Sequence, residues 1–239
     1  MWSYYGAKTN IIKFYPAPKH DKIIEPFCGT ARYALRYFDH DILLVDKYDV
    51  IIKIWKWLQK CSPQDILSLP RFKAGENINN YTYDCEEQRF LVGFLVGFGF
   101  PNPRKTAIPR LRNRPNAMNY TINRIAKQLW KIKHWEIKLG SYDEISNQVA
   151  TWFIDPPYQY GGHVYKHSNK HINYTLLSDW CKNRGGQIIV CENSNATWMN
   201  FTPMINQNIL SGNYIESIWS NEPCEFDNKQ QEIIFQPLV

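Results

Sequence analysis

The chain of 239 residues, 44% hydrophobic and 15% aromatic, is long enough to bury one substantial core and to carry one elaborated insertion. Its six cysteines (Cys28, Cys61, Cys85, Cys181, Cys191 and Cys224) are scattered without a Cys-x-x-Cys pair, and the amino terminus shows no secretory signal. Both features argue against a structural zinc site and for a reducing, cytosolic setting. The formal charge of +6 is unevenly spread, so its distribution says more than its sum.

In chain order, residues 22–31 read as a short strand ending at Glu25, a tight turn at Gly29 and a helix start, with the helix expected over 31–38. A second apolar run, Ile42 to Val45, ends at Asp46, and a helical pattern follows through Ile51, Ile52, Trp55 and Leu58. This is a βαβ unit with a carboxylate closing its second strand. Gly29 would let the backbone approach a ligand, and Asp46 can accept from both hydroxyls of a ribose. On its own, so glycine-poor a turn equally suits a βαβ unit that binds nothing.

Residues 90–100 form the longest apolar run, too short at eleven residues to span a bilayer; Gly93 and Gly97 predict close packing of a buried helix. Residues 101–138 then carry ten lysines and arginines, among them Arg104, Lys105, Arg110, Arg112, Arg114 and Arg124, against the single acid Glu136. A local charge of +9 is an electrostatic footprint for a phosphate backbone, although a solvated basic face would look the same. The proline-rich stretch from Arg104 to Arg114 reads as an exposed loop able to grip phosphates or reach guanine edges. A helix is expected over 119–135, with Ile122, Ile125, Leu129 and Ile132 facing the core.

The apolar run Thr151 to Ile154 leads straight into Asp155, Pro156, Pro157 and Tyr158. Prolines lack an amide hydrogen and fix φ, so they stop the strand and stiffen the turn that follows. One carboxylate, one fixed carbonyl and one aromatic face are thereby gathered at a strand's carboxyl end. That set suits a planar heterocycle with an exocyclic amine: two acceptors take the amine hydrogens while the ring stacks on Tyr158. The same tetrapeptide in isolation is equally a strand-ending turn. Residues 159–173 hold His163, His167 and His171 without an acid, which reads as a mobile polar loop rather than a metal site. A helix over 174–182, a strand over 187–191 and two final strands at 214–219 and 232–235 predict a mixed sheet whose terminal strands are antiparallel to the rest.

Together, these ordered motifs resemble the Dam-like DNA adenine methyltransferases, which carry Asp-Pro-Pro-Tyr and act on the exocyclic amine of adenine with S-adenosylmethionine. Tyr4 to Lys8 is similar to the family's opening Trp-x-Gly-Gly-Lys, Glu25 to Ala31 to its Asp-Pro-Phe-x-Gly-x-Gly, and Asp155 to Tyr158 to its catalytic motif. The chain departs from the pattern at Tyr4, at Ala7 and Ala31, which replace glycines, and at Gly140-Ser141-Tyr142, which replaces an Asp-Phe or Asp-Tyr segment. Ala31 fits only if its position holds a negative φ.

The resemblance implies an α/β, Rossmann-like S-adenosylmethionine-dependent methyltransferase core with a mixed, mostly parallel sheet over residues 1–60 and 133–239. A mainly helical, basic recognition insertion would occupy 61–132. It implies Asp155, Pro156 and Tyr158 as catalytic residues, with Tyr4 and Lys8 at the cofactor's methionine end, Phe27 and Gly29 at its centre, Asp46 at its ribose and Tyr142 stacked on its adenine. The partner would be double-stranded DNA, met by a cytoplasmic, phage or prokaryotic monomer or weak dimer that uses neither metal nor membrane. Cytosine N4 or RNA adenine methylation, or a non-catalytic DNA-binding module on the same fold, are the competing readings.

Overall fold

The computed structural model describes residues 1–209 and 212–223. Among them, seven strands form a single sheet: β1 (Lys22–Glu25), β2 (Asp41–Asp46), β3 (Glu136–Leu139), β4 (Val149–Ile154), β5 (Gly185–Asn193), β6 (Thr202–Ile209) and β7 (Gly212–Ser220). Their spatial order is β3-β2-β1-β4-β5-β7-β6. Strands β1 to β5 are mutually parallel. Only β7 is antiparallel to its neighbours β5 and β6, so β6 runs with the parallel set. The fold is therefore α/β and Rossmann-like, with a mixed, mostly parallel sheet.

The central strands are continuous apolar runs because both of their faces are covered. Successive side chains point to opposite faces. Ile23, Ile42, Leu44 and Phe153 join the cluster on one side, while Ile24, Leu43, Val45, Trp152 and Ile154 join the other. The first side is covered by α1 (Arg32–Arg36), α2 (Asp49–Lys60) and the helices α3 (Pro63–Leu67), α4 (Glu86–Gly97) and α5 (Ala117–Gln128). On α2 the buried residues Ile51, Ile54, Trp55 and Leu58 recur at helical spacing. The second side is covered by α6 (Tyr174–Lys182) through Leu177 and Cys181. The Asn173 side-chain carbonyl starts α6, accepting from the amides of Thr175 and Leu176 at 3.1 and 3.2 Å.

Strand order reverses between β1 and β4. From β1 the chain builds outward through β2 to β3, then returns to lay β4 on the other flank of β1. Loops leaving the carboxyl ends of β1 and β4 diverge at such a point and leave a crevice between them.

Several sequence-based expectations are corrected. The helix expected over 119–135 is α5 followed by a separate 3-10 turn, Leu129–Ile132. Of the two final strands, the one expected at 214–219 is part of β7 and is antiparallel as expected, and the segment at 232–235 lies outside the described residues. Strands β3 and β6 had no counterpart in the expected elements. Gly93 and Gly97 do permit close packing of a buried helix, α4, but the neighbour is the segment at 103–104. A Cβ on Gly93 would lie 2.7 Å from the Pro103 side chain and 2.9 Å from the Arg104 carbonyl. No described helix is long and apolar enough to cross a membrane.

Candidate active site

The turn after β1 is built by hydrogen bonds to Asp46, which ends the neighbouring strand β2. Its carboxylate accepts from the Gly29 amide at 2.9 Å through one oxygen and from the Tyr48 amide at 2.8 Å through the other. Burial pushes the Asp46 carboxyl up to about 6 against the pull of those two amides. The Trp55 indole donates to the Gly29 carbonyl at 2.8 Å, so α2 also fixes the turn. Gly29 holds φ +44°, a conformation that glycine adopts without penalty. Ala31 holds φ +46° and is 1% exposed. The negative φ required for alanine there is not met: the residue keeps a glycine's left-handed conformation, at a cost of roughly 1–2 kcal/mol. Glu25, fully buried, accepts from the Ala34 amide at 2.6 Å and so ties β1 to α1; burial raises its carboxyl to about 8.

At the far flank of the crevice, Asp155 leaves β4 and meets Lys8, whose ammonium donates to its two oxygens at 2.8 and 3.0 Å. The same ammonium lies 4.7 Å from the centroid of the Tyr158 ring. Pro156 is buried behind them, and the Tyr174 hydroxyl donates to the Pro157 carbonyl at 2.6 Å, clamping the turn from α6. Glu192, on β5, accepts from the Gln159 amide at 2.8 Å and from the Trp198 indole at 3.0 Å. Burial raises the Glu192 carboxyl to about 7.

One cleft runs between these flanks, and Tyr4, Lys8, Phe27, Gly29, Asp46, Tyr142 and Asp155 all line it. The Phe27 and Tyr142 rings stack at 5.4 Å at one end, beside Ser141, which caps a 3-10 turn with Glu144. The donor set fits a nucleoside: an aromatic end, a strand-end carboxylate beside a glycine turn, and a charged end at Lys8 and Asp155.

The segment after Tyr158, expected as a mobile polar loop, carries some local structure. It contains two 3-10 turns, Gly162–Val164 and Asn169–His171. The Asn169 amide group donates to the Gln159 carbonyl at 2.9 Å, and the Tyr165 hydroxyl donates to the Tyr5 carbonyl at 3.2 Å. Tyr165, Lys166, His167 and His171 thereby join the cleft wall. Among the described residues no group of three or more His, Cys, Asp or Glu side chains is placed to hold a metal ion.

The basic residues divide. Arg110 and Arg112 stand exposed on a 3-10 turn, Pro109–Asn113, pinned by buried Leu111, and Arg114 and Lys105 are exposed beside them. Arg104 is half-buried, its guanidinium 4.5 Å from the centroid of the Phe100 ring. Arg124 is half-buried: its guanidinium donates to the Met1 carbonyl at 3.0 Å and lies 5.4 Å from the centroid of the exposed Tyr120 ring.

Two residues absent from the expected site, Glu216 and Tyr15, belong to its Asp155 end. Glu216 lies in β7, 1% exposed, and accepts from the hydroxyls of both Tyr158 and Tyr15 at 2.5 Å. It shares strand parity with buried Ile218, so an acid on the inward face of an apolar strand was the available signal.

No family model matches the chain, and no curated protein sequence matches it. Among solved structures, a conserved hypothetical protein from Streptococcus pyogenes aligns at 10% identity and TM-score 0.38, covering 92% of this chain and 96% of that one. A Haemophilus influenzae protein described as a candidate methylase aligns at 9% identity and TM-score 0.37, covering 84% of this chain and 86% of that one. Likenesses this weak carry no argument about chemistry, which rests on the cleft itself.

Proposed function

We propose that this chain is an S-adenosylmethionine-dependent methyltransferase acting on the exocyclic N6 amine of adenine in double-stranded DNA. The observation that carries the reading is the convergence of the Asp155 end and the Asp46 and Gly29 end on one cleft, at the sheet's switch point. Asp46 would hold the cofactor's ribose, Phe27 and Gly29 its centre, Tyr142 its adenine, and Tyr4 and Lys8 its methionine end. When bound, the cofactor supplies an electrophilic methyl group.

An adenine amine is a poor nucleophile because its lone pair is delocalised into the ring. Asp155 and the Pro156 carbonyl would accept its hydrogens and so localise the lone pair as positive charge develops on nitrogen. A carboxylate offers about four lone-pair sites, so Asp155 keeps acceptors for the amine while Lys8 holds its charge. Tyr158 would stack on the base, which must leave the duplex because its amine is otherwise engaged in pairing. Alignment of two bound reactants can supply about 7 kcal/mol or more, so positioning is the larger part of the work asked of these residues. The exposed Arg110, Arg112 and Arg114, with Lys105, would grip the DNA from the 61–132 segment.

Incubation with S-adenosylmethionine and unmethylated DNA or RNA, followed by mass spectrometry of the nucleosides, tests the reading. N6-methyladenine in DNA is expected, and an Asp155→Ala variant whose circular dichroism shows it folded should lose at least about 100-fold in rate. N4-methylcytosine, methylation of RNA alone, or an Asp155→Ala variant at near wild-type turnover would each overturn it.

A further inference from the structure

We infer that Glu216 is a positioning residue that holds Tyr158 and Lys8 in register with Asp155, an inference that rests on the proposed activity only for its catalytic consequence. One oxygen of its carboxylate accepts from the Tyr158 and Tyr15 hydroxyls at 2.5 Å and lies 3.8 Å from the Lys8 ammonium. That ammonium in turn grips Asp155 at 2.8 Å. Tyr15 is itself fixed, packing edge-on against Phe153 of β4 with ring centroids 5.1 Å apart. A single buried acid therefore joins the aromatic ring, the cation and the strand that presents the reacting carboxylate.

Its place in the fold separates this role from ordinary core packing. Glu216 sits on β7, two strands away from β4, in register with Asn193 of β5 and Ile205 of β6. An apolar residue would fill that inward position without the cost of burying a carboxylate. The partners that offset the cost include Lys8, which lines the cleft's charged end, and Tyr158, whose ring centroid lies 4.7 Å from the Lys8 ammonium. Fixing the Tyr158 hydroxyl sets the plane of the ring on which a base would stack. Fixing Lys8 from two sides sets the direction of the Asp155 oxygens.

The test is a double-mutant cycle on the full chain, with Glu216→Gln, Tyr158→Phe and the pair, read by single-turnover methyl transfer to duplex DNA. Glu216→Gln keeps size and an acceptor but removes the charge, whereas Tyr158→Phe keeps the ring. Each single variant should slow the chemical step about tenfold or more, and the pair should be no slower than the worse single. Losses that multiply, or a Glu216→Gln enzyme at wild-type rate, overturn the inference. If Glu216→Gln does not fold, Tyr15→Phe removes a donor to the same oxygen and should slow the step about threefold or more; a wild-type rate there counts against the inference. A second readout needs no methyl transfer: acylation of Lys8 by an amine-directed reagent, followed by peptide mass spectrometry. It should accelerate at least about threefold in Glu216→Gln, because the ammonium loses a carboxylate partner. Faster acylation in a protein that methylates nothing would sink the activity and leave the Glu216 tie standing, and unchanged acylation would sink the tie itself.

Discussion

Ala31 shows how far one side chain can depart from its turn. The hydrogen bonds around it, from its own amide to the Cys28 carbonyl at 2.6 Å and from the Leu35 amide to its carbonyl at 2.9 Å, hold the left-handed conformation against the methyl group. Ala31→Gly should change stability by less than about 1 kcal/mol, because relief of strain is offset by a lost buried methyl and a more flexible unfolded chain. Ala31→Val should cost about 2 kcal/mol or more, since a β-branched side chain at positive φ must also find room at a buried site. Urea unfolding of the two variants checks this, and a valine variant within about 0.5 kcal/mol of wild type would show that the turn relaxes. The sequence marks Ala31 as standing where similar proteins have glycine but does not give the sign of its φ, because alanine is also compatible with an ordinary helix start. The residues at the strand ends that line the cleft could be placed, because Gly29, Asp46 and Asp155 each end or follow an apolar run whose period is local. Glu216 joins them only through the pairing of β7 with β5, which no local pattern encodes.

The elements that periodicity predicted well are those whose buried faces are long: β1, β2, β4, α2 and α6. Strand β3 escaped notice because it is a sheet edge on which only Ile137 is buried, leaving a polar stretch with no alternation to detect. Strand β6 is also an edge, and it opens on exposed Thr202 and Pro203. In the 3-10 turn Pro109–Asn113, buried Leu111 directs Arg110 and Arg112 outward, and Arg114 follows. If these three contact DNA, replacing all of them with alanine should raise the Michaelis constant for DNA far more than that for S-adenosylmethionine. The log–log salt slope should flatten by about 0.9 for each phosphate that is no longer neutralised. Equal losses on all sequences would mark the arginines as backbone contacts, and relaxed discrimination at particular positions would mark base readout. An unaltered slope and preference would leave this turn a solvated basic surface and move the search for the recognition element to residues 159–173.

Among the described residues, four carboxyls sit where burial opposes their charge: Glu25 at about 8, Glu192 at about 7, Asp46 at about 6, and Glu216, which burial also raises. A carboxyl whose pKa is higher in the folded state takes up a proton on folding. Its contribution is then fully present below the unfolded value and is lost as pH rises through the folded value. For Glu25 that window runs from 4.5 to about 8, and within it stability falls by roughly 1.4 kcal/mol per pH unit from this group alone. Glu192 and Asp46 act in the same direction over narrower windows, so the protein without ligand should be most stable on the acid side of neutrality. The separable part is Glu25, because glutamine keeps the carbonyl that accepts from the Ala34 amide at 2.6 Å while removing the proton. Urea unfolding of wild type and Glu25→Gln at pH 5, 6, 7 and 8 should show the wild type losing stability faster, by about 1 kcal/mol per pH unit between pH 5 and 7. The two curves should cross so that the glutamine variant is the more stable protein at pH 8. Curves that stay parallel across that range would mean that Glu25 is ionised in the fold throughout, with a cation or ordered water beside it that compensates its burial.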